Sequence, residues 1–173
     1  IVPLANPPTV AKAFSPNPIL PGDTSLLTIT LTNPNGVNLT GVAFTDTYPT
    51  SPPTGITNSG LPNAMTTCTS GTVTGTVTAV PFGKSVALAN GTIPANNSCT
   101  VTVIVTAANA GSYTNTINAG DVSSSGGPNA APASATLNAI TPGRRSPIRS
   151  TTTSRTHSWA ISSGRSRTRT WMA

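Results

Sequence analysis

The sequence predicts an all-β chain built as two antiparallel sheets packed face to face, and three observations carry that prediction. Within the strand Thr24 to Asn33 the residues alternate from Leu27 on: Leu27, Ile29 and Leu31 point one way, and Thr28, Thr30 and Thr32 the other. This period-2 pattern marks a strand with one buried and one wet face. The composition holds 32 Thr, 17 Pro and 15 Gly but no Glu, which favours many short strands joined by tight turns. The helix formers Glu, Lys, Arg and Gln are nearly missing from the first 143 residues, so little or no helix is expected.

The elements follow in order. Thr9 to Phe14 reads as a first strand, and Thr24 to Asn33 as the second and most regular. Asn35-Gly36 is a turn signal. Val37 to Tyr48 comes next, with Val42 and Phe44 on one face, and residues 49–63 read as a Pro-, Gly- and Ser-rich loop. In Thr66 to Val80 the alternation is interrupted at Gly71 and Gly75, the mark of a bulge or a hairpin. Lys84 to Ile93 turns Val86 and Leu88 inward, and Ser98 to Ala107 places Cys99, Val101, Val103 and Val105 on one face. Ser112 to Ile117 and Ala133 to Ala139 complete about eight short strands, at the spacing of a sandwich or barrel. Parallel α/β architecture would need helical crossovers, for which the chain has no room.

Charge divides the chain sharply. Residues 1–143 carry two lysines against three aspartates, a net charge of −1, whereas residues 144–173 carry seven arginines and no acid. His157, Trp159 and Trp171 also lie in that last segment. We therefore read residues 1–142 as the β-sandwich domain and residues 143–173 as an arginine-, serine- and threonine-rich tail whose composition disfavours a core. The overall net charge of +6 belongs to the tail and says nothing about the main domain. The tail has three readings: an anion- or nucleic-acid-binding segment, an assembly segment, or an out-of-frame translation. Of these, an anionic surface is the partner its arginines could engage, and nucleic acid is not expected as the main one.

Chemistry is hard to place. Nucleophilic catalysis needs a base beside a Ser, Thr or Cys, and the one histidine is in the tail. Asp23, in PGDT, reads as a turn residue capping local N–H groups; Asp46, in FTDTYP, sits at a strand end. A zinc site would need four Cys or His ligands, and calcium several clustered carboxylates, which leaves open only a calcium held mainly by carbonyls. No catalytic, cofactor or metal residue is assigned, and no enzyme activity is expected. Tyr113, in GSYTNT, reads as a packing or corner tyrosine with its hydroxyl tied to backbone. The Thr-x-Thr runs read as ordinary solvent faces rather than a flat ice-binding lattice, which sheet twist would spoil. Cys68 and Cys99 point to an oxidising compartment, with two unrelated buried thiols as the other reading. The chain contains no apolar run long enough to span a membrane. Its start at Ile1 fits a processed or excised segment.

Four blocks carry a family likeness in a fixed order. They are PPTVAKAFSPNPILPGDTSLLTITLTNPN (residues 7–35), LTGVAFTDTYP (39–49), IPANNSCTVTVIVTAANAGSYTNTI (93–117) and NAAPASATL (129–137). Over about residues 7–140 the chain resembles the conserved repeat domain found in tandem on bacterial surface and secreted proteins. The resemblance implies an immunoglobulin-like antiparallel β-sandwich of about seven to nine strands, with no catalytic role. Cys68 and Cys99 fall where such modules carry a cysteine pair, which supports a disulfide between them. A further copy of the opening block is expected near residue 145, and the arginine tail stands in its place.

The expected function is that of a non-catalytic, extracellular or cell-surface structural or adhesive module, a spacer or stalk. Its partners would be other copies of itself or neighbouring surface-protein domains. Two alternatives are a self-assembling filament subunit that exchanges a terminal strand and a carbohydrate-binding module. The last requires a shallow face of exposed rings, and several of Phe14, Phe44, Tyr48, Phe82 and Tyr113 read as buried.

Overall fold

The computed structural model describes residues 5–51 and 53–143. Over that span the chain forms strands and turns and no helix. The strands are β1 (Thr9–Ser15), β2 (Thr24–Thr32), β3 (Leu39–Thr47), β4 (Ile56–Asn58), β5 (Met65–Thr66), β6 (Thr69–Ser70), β7 (Val73–Thr74), β8 (Thr76–Thr78), β9 (Ser85–Ile93), β10 (Ser98–Ala107), β11 (Gly111–Ile117) and β12 (Ala133–Ala139). Seven of them run seven residues or longer and build the two layers. The first layer is ordered β1-β2-β10, with β4 and β5 paired along the far side of β10. The second holds β3-β9-β8 and the β11–β12 hairpin, which packs beside β3.

Every ladder between these strands is antiparallel. Because β2 pairs with β10 and β3 with β9, the chain crosses between layers as in the Greek-key connections of immunoglobulin-like sandwiches. The alternation that predicted β2 is what seals the sandwich. Leu27, Ile29 and Leu31 are fully buried and lie opposite Val103, Val101 and Cys99 of β10. Val42 and Phe44, and Val86 and Leu88, close the core from the second layer. Burying one such side chain is worth about 1.5–3 kcal/mol. The outer face pairs Thr28 with Thr102 and Thr30 with Thr100. On the hairpin, the Thr114 and Thr136 hydroxyls meet at 2.8 Å, a cross-strand pairing that adds to the ladder.

The segments between the long strands depart from expectation. Residues 49–63 are not loop throughout: Ile56–Asn58 forms β4 against β10. Gly55 lets the chain double back there, with φ +71° and a position where a Cβ would fall 1.9 Å from the Pro49 carbonyl oxygen. Ile56 N–H then donates to that oxygen at 3.1 Å. The expected strand over Thr66 to Val80 breaks into the short strands β5 to β8, with a hairpin between β6 and β7. Twelve strands thus replace the expected eight, because pieces of two or three residues carry too little alternation to read.

Buried asparagines pin the loops. Asn33 Nδ2 donates to the carbonyls of Val37, Ile93 and Pro94, and Asn129 Nδ2 to those of Asn118 and Ala131. After β1 the chain swings over to the second layer. Ile19 pairs parallel with β12 at Ala139, through Ile19 N–H to Asn138 O and Ile140 N–H to Ile19 O, both 2.9 Å. The Asn17 side chain extends that pairing, donating to Thr136 O at 2.7 Å and accepting from Asn138 N–H at 2.9 Å.

Candidate functional site

Three polar residues sit in register positions that the strand pattern reserves for apolar ones. On β1, Lys12 falls between the inward-facing Val10 and Phe14. On β3, Asp46 follows the buried Val42 and Phe44. On β11, Asn115 lies between the buried Tyr113 and Ile117. A lone polar group in such a place costs several kcal/mol unless it finds partners. These three find one another across the sandwich, Lys12 from the first layer and the other two from the second.

Lys12 Nζ donates to both Asp46 oxygens at 2.8 Å, and Asn115 Nδ2 donates to Asp46 Oδ2 at 2.8 Å. The side chains of Lys12 and Asp46 have no solvent-exposed surface; what exposure Lys12 has comes from its backbone on the edge strand. Asn115 Oδ1 is buried and has no hydrogen-bond partner among the described residues. Burial pushes the Lys12 ammonium below the ordinary lysine range, and the Asp46 charge and hydrogen bonds oppose that shift. Tyr48 lies close enough to feel the same carboxylate. Burial raises its phenol above the usual range, and the negative charge of Asp46 raises it further. The Tyr48 hydroxyl donates to Asn58 Oδ1 at 2.8 Å, and Asn58 Nδ2 holds the carbonyls of Val80 and Ser85.

Asp46 does sit at the end of β3, as expected, but it points inward and is the centre of a buried polar cluster. Sequence reasoning missed the cluster, although the polar residue at each inward register position was the signal that could have found it. Asp23 is corrected too. Its turn is closed by the backbone, Asp23 N–H to Leu20 O at 3.0 Å, and among the described residues its carboxylate caps nothing. Asp121 accepts from Asn118 N–H at 2.8 Å. The three aspartates thus take separate roles, and no group of metal-ligating side chains gathers among the described residues.

The expected disulfide joins Cys68 to Cys99, with Cα atoms 4.8 Å apart. Cys68 is also anchored to β9, its carbonyl accepting the Thr92 N–H at 3.1 Å. Gly91 makes room for the bridge: a Cβ there would lie 3.3 Å from Cys68 Cβ. Tyr113 is the corner tyrosine, its hydroxyl donating to Asn109 O at 2.7 Å. Of the five rings between residues 14 and 113, Phe82 alone is exposed, at 72%, with a positive φ of 59°. His157, Trp159, Trp171 and the arginines lie outside the described residues. A shallow depression of about 430 Å³ opens between Pro16, Pro18, Leu20 and Ile140, with Asp23 and Thr24 as its polar lining.

Comparison with known proteins adds one match. The model of a family described as a domain of unknown function, DUF7933, matches residues 8–139. No curated protein matches the chain.

Proposed function

Because the chain belongs to the DUF7933 family, whose function its description leaves open, we propose a function from the fold, the cluster and the resemblance to surface repeat domains. The domain is a non-catalytic structural or adhesive module of a bacterial surface protein, a spacer or stalk displayed outside the cell. Residues 1–142 are the module in this reading, and residues 143–173 an appended segment. The resemblance to surface repeat domains supports this reading by analogy.

The observation that carries the proposal is where the reactive groups lie. Both cysteines are bonded to each other, and the Lys12, Asp46 and Asn115 side chains are spent on one another inside the core. Among the described residues the only other charged side chains are Asp23, Lys84 and Asp121, scattered over the surface. A disulfide fits an oxidising, extracytoplasmic setting. Sheet edges are blunted as well. β4, β5 and β8 are three residues or fewer, and the edge strand β1 carries an inward-pointing lysine, both devices that discourage strand addition. These features favour the spacer over the strand-exchange filament. Likewise, one exposed ring among the described residues offers little of the platform a carbohydrate-binding face needs.

Antibodies raised against the folded domain test the location: they label intact cells of the encoding organism. Labelling that requires permeabilised cells would overturn the proposal. Size-exclusion chromatography and negative-stain imaging separate spacer from filament, and fibres growing from purified protein would favour the latter.

A further inference from the structure

We propose that Lys12 and Asn115 become covalently joined through an isopeptide bond between Lys12 Nζ and Asn115 Cγ, with Asp46 as the catalytic acid and base. The inference stands on the geometry of three side chains and does not depend on the surface-module reading.

The amine and the carboxamide both bond to the same carboxylate oxygen, Asp46 Oδ2, at 2.8 Å each. The reacting groups are therefore held side by side in a site without exposed side-chain surface, where proximity replaces a bimolecular encounter. The cluster has an odd member for an ordinary ion pair. A purely structural asparagine would satisfy its carbonyl, as Asn33, Asn58 and Asn129 do, yet Asn115 Oδ1 is buried and unpaired. Unpartnered buried acceptors are rare and call for an explanation.

The step balances without any co-reactant. Burial favours the uncharged form of Lys12, and its ammonium, 2.8 Å from both carboxylate oxygens, hands a proton to Asp46 and leaves a neutral amine. Asp46, now an acid, becomes a donor. When the Asn115 amide turns over, its free Oδ1 accepts that proton's hydrogen bond and the carbonyl is polarised. The Nζ lone pair attacks Cγ to give a tetrahedral intermediate. Asp46 relays a proton from Nζ to the former amide nitrogen, the old C–N bond breaks, and ammonia leaves. One C–N bond forms and one is lost, with no change of oxidation state. The burial of both side chains keeps bulk solvent from the product.

Intact mass spectrometry of the reduced, denatured full chain tests this. The wild type is expected to be lighter than its sequence mass by one ammonia, and proteolysis is expected to release a branched peptide joining Lys12 to Asn115. Lys12→Arg and Asn115→Ala should each restore the full sequence mass. Wild-type protein that is folded and yet has its full sequence mass overturns the proposal, whatever the variants do. So does loss of one water mapped to Lys12 and Asp46. An ammonia loss that maps to Asn35-Gly36 or Asn90-Gly91 as a cyclic imide, and vanishes on mild alkaline hydrolysis, overturns it as well.

Discussion

The Cys68–Cys99 bridge and the Lys12–Asp46–Asn115 cluster both tie the first layer to the second, yet they were unequally visible and are unequally robust. The disulfide joins β10 to a segment anchored on β9, over a sequence separation of 31 residues. The cluster joins β1 to β3 and β3 to β11, across separations of 34 and 69 residues. A disulfide constrains the unfolded chain and needs little from its surroundings. A buried polar cluster has the opposite character: its net worth is small while every partner is present, and its loss is severe when one is removed. The difference teaches that a tie's contribution to stability and its sensitivity to mutation are separate quantities.

Changing the charge at two core positions gives the largest expected effects. Val103→Asp puts a carboxylate in the fully buried face of β10 with no lysine to meet it, and no cooperative thermal transition should survive; a cooperative melt would show that position 103 is not buried. Asp46→Ala does the reverse, stranding Lys12 and Asn115, and should cost about 3–5 kcal/mol by urea unfolding. A loss below about 1 kcal/mol would mean that solvent reaches the site. Cys68→Ser should cost about 3.5 kcal/mol from the released loop. An unchanged melt on adding reductant to the wild type would deny the bridge a role in solution.

The smallest effect is the most diagnostic of the cluster's charge. The Tyr48 phenol is raised above its ordinary value of 10.0, so above about pH 10 the unfolded chain sheds this proton first. Stability from Tyr48 is complete below that pH and is lost as the pH climbs further. Tyr48→Phe should cost about 1 kcal/mol at neutral pH through the lost bond to Asn58. It should also flatten the alkaline decline in a melting series from pH 9 to 11. An identical decline in both proteins would place the titrating group elsewhere.

How far the sequence could be read follows from the same contrast. Strands β2 and β10 were legible because nine or more residues of strict alternation leave one register only. The disulfide was legible from its context, two cysteines in a Thr-rich β domain, and from the resemblance, against the other reading of two unrelated thiols. β4 to β8 were not legible: their strand character comes from partners already in place and not from their own pattern. The cluster was half legible. Each polar residue could be seen in an inward register position, but that Lys12 meets Asp46 depends on how two layers are superposed, which no single strand encodes. Likewise Phe82 reads as core by its chemistry, and only its place in a turn puts it outside.

The parallel contact between Ile19 and β12 has a mechanical consequence. It lays a segment near the start of the folded unit beside its last strand, with two backbone bonds and two more from the Asn17 side chain. Parallel neighbours pulled from opposite ends slide along each other, so all four bonds resist together instead of peeling singly. Forced unfolding is governed by the unfolding barrier and not by equilibrium stability. In Lys12→Arg, where no covalent link could carry the load from β1 to β11, Asn17, exposed and nearly silent in a thermal melt, would add to the tension the domain withstands.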